Sequence, residues 1–286
     1  MLFADRPVMV TALLTPFDDR GEVDHRALAE HVDYLADKSA DGLLACGTTG
    51  EGARLTDDEV AKVTTTVATA ARGRVRTIAH VGRVATRSTV HLAKRAIDGG
   101  ADAVAAVVPY FDPLSAKQIA DHYRALICAV DPIPVYVYNI PDRTGNDLQA
   151  DTLDELAARG LTGIKDSTKS MPRLLEYLEA AKRCAAAGYP LDVFTGFDAL
   201  AAESIAAGAT GSVNAVGNVR PDLLADLKRA LAAGEPTQIT QSGADIAAFG
   251  QRLAGESFLR NLKRATATVL EAAGTRYPTA LRAPAT

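Results

Sequence analysis

The chain has 286 residues, and its 31 Lys and Arg against 35 Asp and Glu give a formal net charge of −4, which excludes the strongly basic surface typical of nucleic-acid binders. Hydrophobic residues make up 48% and charged residues 23%, a balance typical of a soluble globular protein and not of a disordered chain. No segment approaches the roughly 20 consecutive apolar residues that a membrane helix needs. The cysteines are widely spaced and odd in number, which predicts neither disulfides nor a zinc site and favours a reducing, cytoplasmic location.

Short apolar or β-branched segments alternate along the chain with longer amphipathic segments. The predicted strands are 8–14, 42–46, 75–81, 103–108, 134–138, 162–165, 191–195 and 211–213. The predicted helices between and after them are 24–38, 56–71, 86–97, 115–129, 151–159, 171–186, 198–207 and 221–232. Two further helices, 237–249 and 257–273, follow without intervening strands.

This alternation predicts an α/β fold with parallel strands, because each return to a parallel position needs a crossover. Eight strand–helix units close most economically into a (β/α)₈ TIM barrel, which we assign to residues 1–232, with a C-terminal helical extension over 233–286. A doubly wound open sheet is the alternative, but no G-x-G-x-x-G sequence follows the first strand.

In such a barrel the reactive groups lie at the C-terminal ends of the strands and in the loops that follow them. The second strand is followed by the sequence GTTGEG at 47–52. Its glycines let the backbone approach a ligand, and its amides and the hydroxyls of Thr48 and Thr49 suit a carboxylate. A purely structural glycine-rich turn is the alternative interpretation.

Two further strands end in reactive side chains. Tyr138 ends the fifth strand and is a candidate proton relay, or else a buried tyrosine with a satisfied hydroxyl. Lys165 ends the sixth strand, where desolvation would lower its pKa and make its neutral amine a nucleophile for a carbonyl; a salt bridge with Asp166 is the alternative. Together with Thr48, these residues predict Schiff-base chemistry on a 2-oxo acid.

The sequences GTTGE at 47–51, YNIP at 138–141 and GIKD at 163–166 resemble the motifs of the pyruvate-dependent class I aldolase family, which includes dihydrodipicolinate synthase and N-acetylneuraminate lyase. The resemblance runs from about residue 8 to about residue 231. It implies that Lys165 forms an imine with pyruvate, that Tyr138 is the general acid and base, and that Thr48 and Thr49 contact the pyruvate carboxylate. It also implies a homotetramer, and a reaction with neither cofactor nor metal, because the iminium itself accepts the electrons.

The second substrate is less determined by these motifs. Arg143 resembles the residue with which the synthases bind a carboxylate, whereas Phe111 replaces a tyrosine that relays protons from a neighbouring subunit. The sequences AHVG at 79–82 and GFD at 196–198 are similar to those of N-acetylneuraminate lyase. Asp198 is a candidate sugar contact or simply a helix N-cap. For the missing relay, either Tyr110 substitutes, or water does, or the chemistry does not need that step.

The sequence therefore predicts a carbon–carbon lyase that joins or splits pyruvate and an aldehyde. Dihydrodipicolinate synthesis, cleavage of a 4-hydroxy-2-oxo acid such as a 2-keto-3-deoxy sugar acid, an imine-dependent dehydratase and a catalytically silent 2-oxo-acid-binding protein all stay open. The predicted catalytic residues are Lys165, Tyr138 and Thr48. The predicted substrate-binding residues are Thr49, Gly50, Arg143, Tyr110, Gly196, Asp198 and Val213.

Overall fold

The computed structural model describes residues 2–3, 6–38, 40–255 and 257–282. Parallel strands form a closed barrel in which every strand pairs with its neighbours in chain order, and β8 returns to pair with β1. The strands are β1 (Val8–Ala12), β2 (Gly42–Ala45), β3 (Arg76–His80), β4 (Ala103–Val107), β5 (Val135–Asn139), β6 (Gly163–Asp166), β7 (Asp192–Thr195) and β8 (Gly211–Asn214). The predicted TIM barrel is therefore confirmed.

Helices surround the barrel and continue beyond it. They are α1 (His25–Ala36), α2 (Asp57–Ala71), α3 (Thr86–Asp98), α4 (Ala116–Val130), α5 (Pro141–Thr144), α6 (Asp151–Ala157), α7 (Met171–Ala186), α8 (Ala201–Ala206), α9 (Pro221–Ala233), α10 (Pro236–Arg252) and α11 (Phe258–Ala272). The sequence did not predict α5, because its single turn is too short for apolar periodicity to show. None of the helices in the described ranges is long and apolar enough to cross a membrane.

Alternate residues of each strand face opposite sides of the barrel wall, as the two-residue period of a strand requires. One set packs inside the barrel, including Val10, Ile78, Ala105, Tyr136 and Phe194. The other set packs outward against the helices, in a larger cluster that holds residues of β2 through β7. Both faces of the wall are thus apolar, so the polar side chains at the strand ends stand out as candidates for function.

Local capping explains where several helices begin. Thr56 accepts from the backbone N–H of Glu59, and the Glu59 side chain accepts from the backbone N–H of Thr56, so a capping box begins α2. The predicted helix 198–207 is not one continuous α-helix. A short 3₁₀ turn, Asp198–Leu200, comes first, and α8 begins only at Ala201.

Candidate active site

Lys165 and Tyr138 lie side by side at the C-terminal ends of β6 and β5. They are register partners across the two strands, and both belong to the strand positions that face the barrel interior. The exposed fractions are 7% for Lys165 and 2% for Tyr138. The Lys165 Nζ lies 3.7 Å from the centroid of the Tyr138 ring, so the amine and the phenol share one enclosed space.

The salt bridge between Lys165 and Asp166, the alternative interpretation of this lysine, does not form. Asp166 faces outward, where its carboxylate accepts a hydrogen bond from the Thr168 hydroxyl at 2.7 Å. Neighbouring strand residues point to opposite sides of the barrel wall, so Asp166 and Lys165 are kept apart. In the described part of the chain Lys165 has no carboxylate within ion-pair distance, and its amine faces the site.

Thr48 connects the loop after β2 to the phenol. Its Oγ1 lies 3.0 Å from the Tyr138 Oη, and its side chain is exposed at the barrel mouth. Burial alone would raise the pKa of Tyr138, but the Lys165 charge, the hydrogen bond with Thr48 and the nearby polar groups of Lys165 and Ser167 outweigh it, and the pKa is lowered. A lowered pKa makes the phenol a better proton donor, and the exposed residue Thr48 lies within hydrogen-bond distance of it.

The loop at 47–52 is tightly constrained. Cys46 and Glu51, at its two ends, adopt the left-handed backbone with φ of 58° and 55°, which costs a non-glycine residue about 1–3 kcal/mol. A Cβ on Gly52 would lie 1.7 Å from the Cys46 carbonyl oxygen, and one on Gly50 would lie 2.8 Å from that of Leu13. Only glycine therefore fits at these positions.

This conformation leaves Thr49 half-buried beside a buried Gly50, whose carbonyl accepts from the Thr15 hydroxyl at 2.7 Å. That hydrogen bond ties the loop to the chain just beyond β1. The loop therefore presents its Thr48 to Gly50 segment from a rigid base.

The loop after β7 completes the wall around the lysine. A Cβ on Gly196 would lie 2.6 Å from the Lys165 Cε and 2.1 Å from the Ser167 Oγ, so the missing side chain makes room for both. Val213, on β8, is buried in the interior cluster beneath the site. Gly196 thus leaves space for the Lys165 side chain, and Val213 adds an apolar side chain to the barrel interior.

Asp198 does not act as the helix N-cap that the sequence suggested. Its two carboxylate oxygens accept from the backbone N–H groups of Ala215 and Val216 at 3.1 and 3.2 Å. Burial raises the pKa of this carboxyl to about 6, against the opposing effect of those hydrogen bonds and the Lys165 charge. The residue joins the loop after β7 to the loop after β8.

Two of the predicted substrate-binding residues, and Phe111, lie further from Lys165. Arg143 is exposed in α5, directly after β5, and among the described residues its guanidinium has neither a hydrogen bond nor an ion pair. Tyr110 is half-buried in the loop after β4. The neighbouring Phe111 is 88% exposed and has a φ of 86°. No contact joins these residues directly to Lys165 or Tyr138.

Sequence reasoning missed Ser167. Its hydroxyl is buried, helps to lower the pKa of Tyr138, and lies where a Cβ on Gly196 would have to sit. Ser167 is two residues beyond Lys165, and this two-residue spacing is the signal that could have found it, because alternate strand residues share a face.

The contacts of His80 are those of a packing residue. Its ring meets the Tyr138 ring edge-on, with centroids 5.8 Å apart, and its Nε2 accepts from the backbone N–H of Val107 at 3.2 Å. Burial, with the charges of Arg83 and Lys165, lowers its pKa to about 3. The imidazole is therefore neutral at physiological pH, and its ring packs against the Tyr138 ring.

A family model and proteins of similar sequence indicate the family to which the chain belongs. The model of the dihydrodipicolinate synthetase family matches residues 7–286. A 4-hydroxy-tetrahydrodipicolinate synthase of Alkalilimnicola ehrlichii is 36% identical over 249 residues, which are 87% of this chain and 83% of that protein. The chain belongs to the dihydrodipicolinate synthetase family.

Solved structures of relatives agree with the fold. The dihydrodipicolinate synthase of Acinetobacter baumannii, complexed with pyruvate, superposes with a TM-score of 0.88 at 31% identity, covering 98% of this chain and 92% of that one. KD(P)GA from T. tenax superposes with a TM-score of 0.85 at 29% identity, covering 97% and 92%. This member of the dihydrodipicolinate synthetase family is therefore a pyruvate-dependent lyase.

Proposed function

We propose that the protein is a Schiff-base aldolase in which Lys165 forms an imine with pyruvate. The observation that carries this proposal is the buried Lys165 amine 3.7 Å from the Tyr138 ring, with the Tyr138 phenol 3.0 Å from Thr48. An amine without a carboxylate partner in an apolar barrel is suited to attack a carbonyl. The rigid loop at 47–52 offers the Thr49 and Gly50 amides to the pyruvate carboxylate.

In the cleavage direction, the Lys165 amine condenses with the C2 carbonyl of a 4-hydroxy-2-oxo acid and releases water. The Tyr138 phenolate takes the proton of the C4 hydroxyl, the C3–C4 bond breaks, and its electron pair moves to the protonated imine to give an enamine and a free aldehyde. A proton returned to C3 restores the imine of pyruvate, and water releases pyruvate and the amine. Condensation is the reverse sequence.

The dihydrodipicolinate-synthase-like reaction is the first candidate, because Arg143 offers a free guanidinium near the mouth. A fork of N–H donors binds a carboxylate on the incoming aldehyde, as in aspartate semialdehyde. We expect Arg143→Gln to raise the KM for aspartate semialdehyde about tenfold or more while the KM for pyruvate stays the same. Steady-state kinetics with each substrate varied in turn measures this, and Arg159→Gln, on an exposed residue after α6, is the control.

Cleavage of a 2-keto-3-deoxy sugar acid is the second candidate, favoured by Phe111. A phenylalanine cannot take part in a proton relay, and a reaction that transfers protons only between substrate, Tyr138 and Thr48 does not need that relay. A panel of sugar-acid substrates, assayed for released pyruvate, separates this candidate from the first. Faster turnover of any sugar acid than of aspartate semialdehyde would favour the lyase.

Borohydride trapping with pyruvate tests the proposal itself. We expect a reduced pyruvate adduct on the peptide that contains Lys165, detected by intact and peptide mass spectrometry. A folded, concentrated sample that gives no adduct would contradict imine chemistry with pyruvate, and would leave another 2-oxo acid or a silent binding protein. An adduct on a different lysine would contradict the assignment of Lys165.

The raised pKa of Asp198 predicts that activity falls at acidic pH. Its carboxylate is ionised above its pKa of about 6 and then holds the backbone N–H groups of Ala215 and Val216. Protonation as the pH falls through 6 weakens both hydrogen bonds, so we expect kcat/KM to fall there. Asp198→Asn should lower kcat/KM at all pH values and remove the inflection near pH 6. An unchanged inflection in this variant would assign it to another group.

We further propose a homotetramer in which the loop at 110–112 contacts a second copy. Phe111 supports this, because an aromatic side chain that is 88% exposed on a left-handed backbone is costly in a free monomer. Sedimentation velocity of the protein and of Phe111→Ser tests the assembly. A monomeric wild-type protein at micromolar concentration would contradict it.

A further inference from the structure

A buried ion pair connects the loop at 47–52 to the C-terminal helices. Glu51, on this loop, has a side chain with no exposed surface, and its Oε1 lies 2.7 Å from the Nζ of Lys263, which is equally buried in α11. Its Oε2 lies 2.8 Å from the Arg54 Nη1. A fully desolvated carboxylate needs such partners, because an unpaired buried charge is strongly unfavourable.

The last described residues extend this connection. We call 277–282 the C-terminal strap. The Ala280 carbonyl accepts from the Lys263 Nζ at 2.7 Å, and the Arg282 backbone N–H donates to the Glu51 Oε2 at 3.0 Å. The Arg282 guanidinium pairs with Glu59, at 2.6 Å, on α2. The strap thus binds both members of the buried pair and the helix that follows the loop.

Glu51 also shapes the loop at 47–52 through its own backbone. The Glu51 backbone N–H donates to the Thr48 carbonyl at 3.2 Å, and its φ of 55° places it in the left-handed region. A glutamate in this conformation depends on contacts that hold it there. Release of its side chain removes a restraint next to the Thr48, Thr49 and Gly50 amides and next to the hydroxyl that contacts Tyr138.

We propose that Lys263 and the C-terminal strap are positioning elements that hold the loop at 47–52 in its carboxylate-binding conformation through Glu51. They touch neither substrate nor the reacting atoms. The proposal rests on the proposed function for its meaning in catalysis, since the loop is assigned there to the pyruvate carboxylate. The helical extension is thereby a part of the site's support and not only a covering of the barrel.

Lys263→Met tests the ion pair. We expect the pyruvate concentration for half-maximal borohydride trapping to rise about tenfold or more, because a small displacement of positioning groups weakens binding steeply. The amount trapped on Lys165 at saturating pyruvate should stay near that of the wild type.

Lys228→Met is the matched control. Lys228 also forms an ion pair from a helix, with its Nζ 2.6 Å from Asp41, but Asp41 precedes β2 at the opposite end of the barrel. This control should leave half-saturation by pyruvate unchanged. An equal shift in the two single variants, or no shift in a folded Lys263→Met protein, would overturn the proposal.

Hydrogen exchange provides a readout that does not depend on the imine. In Lys263→Met, and in a chain ended after Pro278 to remove most of the strap, the amides of 46–55 should exchange faster, while those of β5 and β6 keep their wild-type rates. Unchanged exchange over 46–55 in both would refute the proposal. If Lys263→Met does not fold, hydrogen exchange over 46–55 in the shortened chain and in Arg282→Ala tests the proposal instead. A wild-type protein that traps no pyruvate would refute the proposed function, while exchange would still test the support of the loop.

Discussion

Replacement of Lys165 by methionine is expected to abolish pyruvate trapping and to lower turnover by about 10⁴-fold or more, as removal of a nucleophile does in other enzymes. Methionine retains the length and much of the volume of the side chain, so the buried site stays filled. The variant also removes the charge that lowers the pKa of Tyr138. We therefore expect the ultraviolet titration of this phenol to move to higher pH.

Lys169→Met is the control for this experiment. Lys169 is an exposed residue of the same segment, and its Nζ lies 3.3 Å from the Asp142 carboxylate. Its loss should leave trapping, turnover and the Tyr138 titration unchanged. Persistence of the pyruvate adduct in Lys165→Met would show that another amine forms the imine, and the assignment of Lys165 would then be wrong.

Replacement of Tyr138 by phenylalanine is expected to lower turnover by about 10²–10⁴-fold while pyruvate still forms a trappable imine. The phenol is the group that contacts the Thr48 hydroxyl at 3.0 Å, and phenylalanine preserves the ring beside Lys165 without a transferable proton. Exchange of the pyruvate C3 protons for deuterium, followed by NMR, measures the proton transfer directly. Exchange at the wild-type rate in Tyr138→Phe would contradict its role as acid and base.

Tyr136→Phe is the matched control on the same strand. Tyr136 lies two residues before Tyr138, and its phenol also faces the barrel interior. It donates a hydrogen bond to the Asp192 carboxylate at 3.0 Å. Its removal should lower the free energy of unfolding by about 1–2 kcal/mol, since Asp192 loses a buried donor. The deuterium exchange rate should stay unchanged. The two variants thus separate a stabilising phenol from a reactive one.

The alternation of apolar and amphipathic segments along the sequence determined the architecture. Eight apolar segments of strand length, each followed by an amphipathic helix, permit few arrangements, because parallel strands need crossovers and each strand must be covered on both faces. The same pattern located Tyr138 and Lys165 at strand ends, where a barrel presents its reactive groups. These inferences needed only neighbouring residues, so the sequence was sufficient.

Tertiary structure decided the partners of those groups. Thr48 meets Tyr138 across 90 residues of chain, and Asp198 binds the loop after β8 instead of capping its own helix. Ser167 borders the site, and Lys263 reaches Glu51 from the C-terminal extension. Such contacts depend on the closure and register of the barrel and on the path of the chain after it. Many pairings of polar residues satisfy the same local preferences, and only the packed fold selects which of them form.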